Sequence, residues 1–102
     1  MIIELDIKSS SKKFSVNNVF CIGKNYVDHI HEFANPEIPK EPVVFLKPNT
    51  SIIKNNGSVS VPELEGKKIS NDLQNEVELI IAIGKDTYKV SEEKAIDHIF
   101  GY

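Results

Sequence analysis

The segment Glu76-Val77-Glu78-Leu79-Ile80-Ile81-Ala82-Ile83 constrains this chain more than any other. Its composition and length predict a strand over 76–83, the strongest in the chain, ended by Gly84-Lys85-Asp86. Side chains alternate across a strand, so Glu76, Glu78, Ile80 and Ala82 share one face, and Val77, Leu79, Ile81 and Ile83 the other. A strand that is apolar on both faces is buried on both faces, so it requires pairing partners and cover on each side. The whole chain has 102 residues, 40% of them hydrophobic and 26% charged. A compact chain of that size buries roughly two thirds of its unfolded surface, which makes its core modest. The composition excludes a disordered, a collagen-like and a coiled-coil chain.

Shorter strands surround this one. Ile2 to Ile7 alternates apolar residues with Glu4 and Asp6, and Lys8 to Lys13 is a polar turn. Val19 to Ile22, ended by Gly23, is expected as a buried strand. Asn25 to Phe33 is expected to be helical, because Tyr26, Ile30 and Phe33 at i, i+4 and i+7 form one apolar face. Prolines 36, 39 and 42 make 35–42 an extended loop. Strands are expected over Val43 to Lys47, Ser51 to Ile53 and Ser58 to Val61, with a turn at Asn55-Asn56-Gly57 and a polar loop from Glu63 to Gln74. Ser91 is the expected N-cap of a helix from Glu92 to Ile99, with Glu92 and Glu93 in its first turn. The fold class is therefore α+β with a β-rich core.

Fifteen acidic against twelve basic residues give a net charge of −3, which argues against a nucleic-acid partner. The single cysteine, Cys21, offers no internal disulfide and no cysteine cluster for zinc, and it is expected as a small buried hydrophobe. The N-terminus lacks a signal-peptide pattern, and the longest apolar run, Leu79 to Ile83, is far below the roughly 20 residues of a membrane helix. The expected setting is cytoplasmic, with no membrane association.

Two acidic features carry candidate chemistry. Glu76 and Glu78 would project from one strand face about 7 Å apart at their Cα atoms. A hard divalent cation relieves repulsion between two such carboxylates, and Mg²⁺, Mn²⁺ or Ca²⁺ prefers oxygen ligands. The alternative is a solvated strand end. His29 and Glu32, at i and i+3 on a helix, can touch, and a carboxylate beside an imidazole fixes its tautomer and makes it a general base. The alternative there is an ordinary polar helix face, with His31 solvated on another side. Lys24 and Tyr26, at the start of the helix, and Lys47, at the end of a strand, are candidates for contacting an anionic substrate.

The order of the pieces adds more than any one of them. Cys-Ile-Gly-Lys-Asn-Tyr-Val-Asp-His-Ile-His-Glu (21–32) is followed by Glu-Pro-Val-Val-Phe-Leu-Lys-Pro (41–48). Asn-Glu-Val-Glu-Leu-Ile-Ile-Ala-Ile-Gly-Lys (75–85) and Ser-Glu-Glu-Lys-Ala-Ile-Asp-His-Ile-Phe-Gly-Tyr (91–102) complete the series. This run, over 19–102, resembles the fumarylacetoacetate hydrolase family. The resemblance implies a mixed β-sandwich or roll, a homodimer, and metal-dependent hydrolysis or decarboxylation of small dicarbonyl acids such as acylpyruvates or oxaloacetate. Isomerases and decarboxylases of aromatic-ring degradation belong to the same family. It also implies Glu76 and Glu78 as two carboxylate ligands of Mg²⁺ or Mn²⁺, and His29 with Glu32 as the dyad that activates water. Lys24 stands where the family usually has arginine, and a lysine cannot make arginine's planar two-point contact with a carboxylate. The family's catalytic domain is about twice as long, and its third metal carboxylate, an aspartate, falls beyond Tyr102. The expectation is thus the N-terminal part of one catalytic domain, inactive on its own. The competing expectation is a truncated, non-catalytic or assembly-only product.

Overall fold

Alternation at the N-terminus produces a hairpin whose two faces are chemically distinct. In the computed structural model, which describes residues 2–102, β1 (Ile3–Asp6) pairs antiparallel with β2 (Lys13–Val16). Ile3 lies opposite Val16 and Leu5 opposite Phe14, an apolar set on one face. Glu4 opposite Ser15 and Asp6 opposite Lys13 form the polar face, where Asp6 and Lys13 make an ion pair. Ser9 bends the connection at φ 60°, and the Ser10 N–H donates to the Ile7 carbonyl at 3.1 Å.

A second ladder organises the rest of this region. β3 (Val19–Gly23) pairs antiparallel with β4 (Val43–Lys47) in a continuous register from Val19 opposite Lys47 to Gly23 opposite Val43. Pro42 and Pro48 bracket β4, since neither ring nitrogen can donate to a ladder. Between the strands the chain makes one helical turn, α1 (Val27–Ile30), and then an irregular path through the three prolines. Ile30 is 2% exposed and Val16 is 8% exposed, and these are the buried apolar side chains among the described residues. Asn49 ties the turn after β4 (Asn49–Ser51) to the end of β2. Its side-chain amide donates to the carbonyls of Asn17 at 2.6 Å and Val16 at 3.3 Å.

Two small hairpins form the remainder. β5 (Glu63–Leu64) and β6 (Lys67–Lys68) are joined by Glu65 and Gly66, at φ 52° and 74°. Two successive left-handed residues match the right-handed twist of the flanking strands. β7 (Ala82–Ile83) pairs antiparallel with β8 (Ile99–Gly101), with a register shift between Ala82 and Ile83. The Gly84 N–H extends this contact to the His98 carbonyl at 2.9 Å. α2 (Glu92–Ala95) and a 3-10 turn (Ile96–His98) lead into β8. The chain divides into two compact units, Met1–Ser60 and Val61–Tyr102. The described architecture is β-rich, with four two-stranded antiparallel sheets and few helical turns. No helix of the described residues is long and apolar enough to cross a membrane.

Several expectations are corrected. The strand predicted over 76–83 is reduced to Ala82–Ile83, the part that forms a ladder with β8. Val77 is 91% exposed and Ile80 75% exposed, in place of burial on both faces. Ser51 to Ile53 and Ser58 to Val61 are not strands, and Ser51 ends a 3-10 turn whose N–H bonds to the Pro48 carbonyl at 2.9 Å. The polar loop Glu63 to Gln74 contains the β5–β6 hairpin, because Gly66 tolerates the left-handed turn. β3 is only half covered, with Phe20 exposed and Cys21 half-buried. The first helix shortens to Val27–Ile30, since Tyr26 is extended at its start and the bonds after His29 tighten to i→i+3. The second helix gives way to a 3-10 turn at Ile96, and Ser91 holds the N-cap position without a side-chain hydrogen bond.

Ile30→Ala is expected to cost about 2 kcal/mol or more, because it empties the most buried site of the first unit; chemical denaturation measures the loss. The Asp6–Lys13 pair gives a pH signature. The hydrogen bond from Lys13, followed by its charge, lowers the Asp6 pKa below the ordinary 3.8, and Asp6 raises that of Lys13 above 10.5. The contribution of Asp6 is therefore present above 3.8 and lost as the pH falls through its depressed folded value. That of Lys13 is present below 10.5 and lost as the pH rises through its raised folded value. Both side chains are solvent-screened, so the effect is small and salt-sensitive. The stability difference between the protein and Asp6→Asn should be flat between those two values and vanish at the acid end.

Candidate active site

The α1 turn carries the most developed constellation. The ladder ends at Gly23, and Lys24 then takes φ 52°. A left-handed conformation costs a lysine roughly 1–2 kcal/mol, so the surrounding structure imposes it. The chain reverses into α1, where the Ile30 N–H donates to Tyr26 O at 3.1 Å and the His31 N–H to Val27 O at 3.2 Å. The Glu32 and Phe33 amides bond to His29 O at 3.1 Å and Ile30 O at 3.2 Å, which carries the coil to Phe33. Burial of Ile30 contributes about 1.5–3 kcal/mol toward anchoring the turn.

On this coil His29 Nδ1 lies 3.4 Å from Glu32 Oε2, the i, i+3 contact that the spacing predicts. His29 is half-buried and Glu32 exposed. The carboxylate favours the tautomer with its proton on Nδ1, which leaves Nε2 with a lone pair. The Phe33 and His29 rings form a T-shaped pair, with centroids 5.1 Å apart and planes at 74°. The Lys24 ammonium lies 5.3 Å from the centre of the same Phe33 ring. Lys24 also lines an open cleft of about 430 Å³, whose walls include Val27, Ile30, Ile38, Pro39 and Val43.

The other candidates are placed differently. Tyr26 occupies the N-cap position of α1 and is partly exposed. Lys47 stands opposite Val19, and Gly23 stands opposite Val43. The register thus sets Lys47 about 13 Å of strand away from the end that leads into Lys24. The structure does not bring these two lysines together. Glu76 and Glu78 lie exposed on irregular backbone, so the shared face expected of them has no strand to enforce it. As donors they are chemically suited to a hard divalent cation, being oxygen ligands with no thiolate among them. They are only two, and no group of three His, Cys, Asp or Glu side chains that could hold a metal ion occurs among the described residues. In the sequence, Phe33 figures only as part of an apolar face. Its i, i+4 relation to His29 is the signal of a contact with the imidazole.

β3 leads through a Gly-Lys-Asn-Tyr bend into a His-x-x-Glu turn, and the chain then returns to the proline-bracketed β4. The model of the fumarylacetoacetate (FAA) hydrolase C-terminal domain matches residues 18–102, and the chain belongs to the fumarylacetoacetate hydrolase family. It is 40% identical over 84 residues to the mitochondrial oxaloacetate tautomerase FAHD1 of Arabidopsis thaliana, covering 82% of this chain and 35% of that protein. It is 39% identical over 87 residues to caffeoylpyruvate hydrolase of Neonothopanus nambi, covering 85% and 30%. It is 38% identical over 86 residues to oxaloacetate tautomerase YisK of Bacillus subtilis, covering 83% and 27%. The chain thus spans about a third of the length of these curated relatives. No solved structure matches it significantly.

Proposed function

We propose that this chain supplies part of the catalytic centre of an enzyme that makes or breaks bonds next to a keto group in small dicarbonyl acids, by hydrolysis of acylpyruvates or by tautomerisation or decarboxylation of oxaloacetate. The supporting observation is the 3.4 Å approach of His29 Nδ1 to Glu32 Oε2 in a chain of this family. Relatives named for oxaloacetate tautomerisation and for caffeoylpyruvate hydrolysis point to the same substrate class. In this reading Glu32 holds the Nδ1 proton and His29 Nε2 is the base. For hydrolysis Nε2 takes a proton from water as the water oxygen attacks the acyl carbonyl. The C–C bond then breaks, and the pyruvate enolate takes up a proton at carbon. For tautomerisation Nε2 removes a proton from the carbon between the two carbonyls, and a proton is delivered to the enolate oxygen. Decarboxylation releases CO₂ and leaves the same pyruvate enolate to be protonated at carbon, so all three routes pass through an enolate that one anion-binding residue can serve. Lys24 is the nearer of the two lysines to the dyad in the chain and the anion-binding candidate, with Tyr26 and Lys47 as further substrate contacts.

Enzymes of this family generally use divalent metals. We assign Glu76 and Glu78 as two of the oxygen donors for Mg²⁺ or Mn²⁺; when bound, such an ion polarises the carboxylate and keto oxygens of the substrate. We further place the chain within one catalytic domain of the family's mixed β-sandwich or roll, working as a cytoplasmic homodimer.

The test is turnover of acylpyruvates and oxaloacetate by the whole protein with Mg²⁺ or Mn²⁺. His29→Ala should lower kcat by about 10²–10⁴, the usual worth of a general base. Glu32→Gln should lower it less, and His31→Ala should leave it within about twofold. Loss of turnover in His31→Ala with retention in His29→Ala would overturn the assignment. Glu76→Ala and Glu78→Ala should each weaken Mn²⁺ binding by about 10–100-fold or more in calorimetric titration. Unchanged affinity in both would remove these residues from the metal site.

A further inference from the structure

We propose that Phe33 is the positioning residue of this site, its ring setting the places of the general base His29 and the anion-binding Lys24 together. The inference rests on the reading of His29 and Lys24 given above and adds a residue to it. Phe33 is in contact with both: it forms a T-shaped pair with the imidazole, centroids 5.1 Å apart, and lies under the Lys24 ammonium at 5.3 Å. The electron-rich face attracts the cation, and an edge-to-face approach suits the imidazole.

The surrounding backbone explains how an exposed ring holds a fixed place. The Phe33 N–H donates to the carbonyl of Ile30, the most buried side chain of the unit. At the other end, the β3–β4 ladder fixes Gly23, and the left-handed turn at Lys24 starts the segment that closes back on Phe33. The segment 24–33 therefore closes on itself through the ring, with His29 inside the closure. A lysine on its four-carbon stem has many rotamers, and an aromatic face beneath its ammonium selects among them. The same contact suits a lysine at this position, because it directs a point charge where a planar guanidinium's two-point geometry is missing.

The test uses Phe33→Leu and Phe33→Tyr in the whole protein, read by NMR and by kinetics. In the parent protein the Lys24 Cε protons and the His29 ring protons should carry ring-current shifts. Phe33→Leu should move both toward the positions of free side chains while leaving the Ile30 and Val16 methyl signals dispersed. Its kcat/KM should fall by about tenfold or more, with KM raised through Lys24 and kcat lowered through His29. Phe33→Tyr keeps the ring and should restore both the shifts and the kinetics to within about threefold. Unmoved Lys24 or His29 signals in Phe33→Leu would overturn the proposal. So would moved signals with unchanged kinetics, or failure of Phe33→Tyr to restore either. If His29→Gln left turnover intact while the Phe33-dependent shift of the Lys24 Cε protons persisted, the base assignment would fail and the organising role of the ring toward Lys24 would stand. If the shifts were absent while His29→Gln was fully impaired, the base assignment would stand and the role of the ring would fail.

Discussion

The ladder between β3 and β4 is the interaction on which the first unit depends. Its five paired positions join two strands separated by a connection that contains the one-turn helix, the candidate dyad and three prolines. Closing such a connection costs entropy that grows only slowly with its length, and the prolines lower that cost by restricting the open chain. The closure brings Gly23 opposite Val43, so the chain leaving β3 must bend at once. Lys24 absorbs the bend in a left-handed conformation that few residues adopt without strain. Everything at the candidate site follows from that bend: the start of α1, the burial of Ile30, and the return of the coil to Phe33.

The second unit shows what happens where a ladder is short. β7 and β8 share only two register positions, broken by a shift, and Gly84 adds one more backbone bond. Gly84 sits close enough to Phe100 that a Cβ there would come within 2.7 Å of the Phe100 Cβ, so glycine is what allows the strands to approach. N-terminal to this contact, Val77, Leu79 and Ile80 remain exposed. Apolar side chains favour burial, yet a strand forms only where its amide and carbonyl groups find a partner strand. Hydrophobic content alone does not create one.

Local features are legible in the sequence, and non-local ones are not. β1, β3 and β4 are readable from alternation, apolar runs and the bracketing prolines, each of which acts within a few residues. The contact between His29 and Glu32 is readable because one helical turn creates it, whatever lies further off. β2 is hidden because Lys13 reads as the end of a polar turn and the alternation of Phe14 and Val16 beyond it is too short to stand alone, so its identity comes from pairing with β1. The β5–β6 hairpin hides behind Glu65-Gly66, a less familiar pair for a left-handed turn than Asn-Gly. The pattern over 76–83 overstates its strand, because the period-two argument assumes extended pairing along its full length.

The same distinction separates the two halves of the proposed chemistry. A base and its orienting carboxylate need only one turn of coil and one buried anchor, both of which the first unit provides. A pair of carboxylates for a cation needs more. Two like charges converge only if rigid backbone holds them against their repulsion, and a ladder is the usual source of that rigidity. Glu76 and Glu78 have the right chemistry on backbone without such a ladder among the described residues. In the proposed metal site, their convergence would have to be imposed by further ladder formation along 76–81 or by the cation itself. Any cation bound by that pair would thus be coupled to a rearrangement of the segment, since ligands that are not preformed must be organised at the expense of binding free energy.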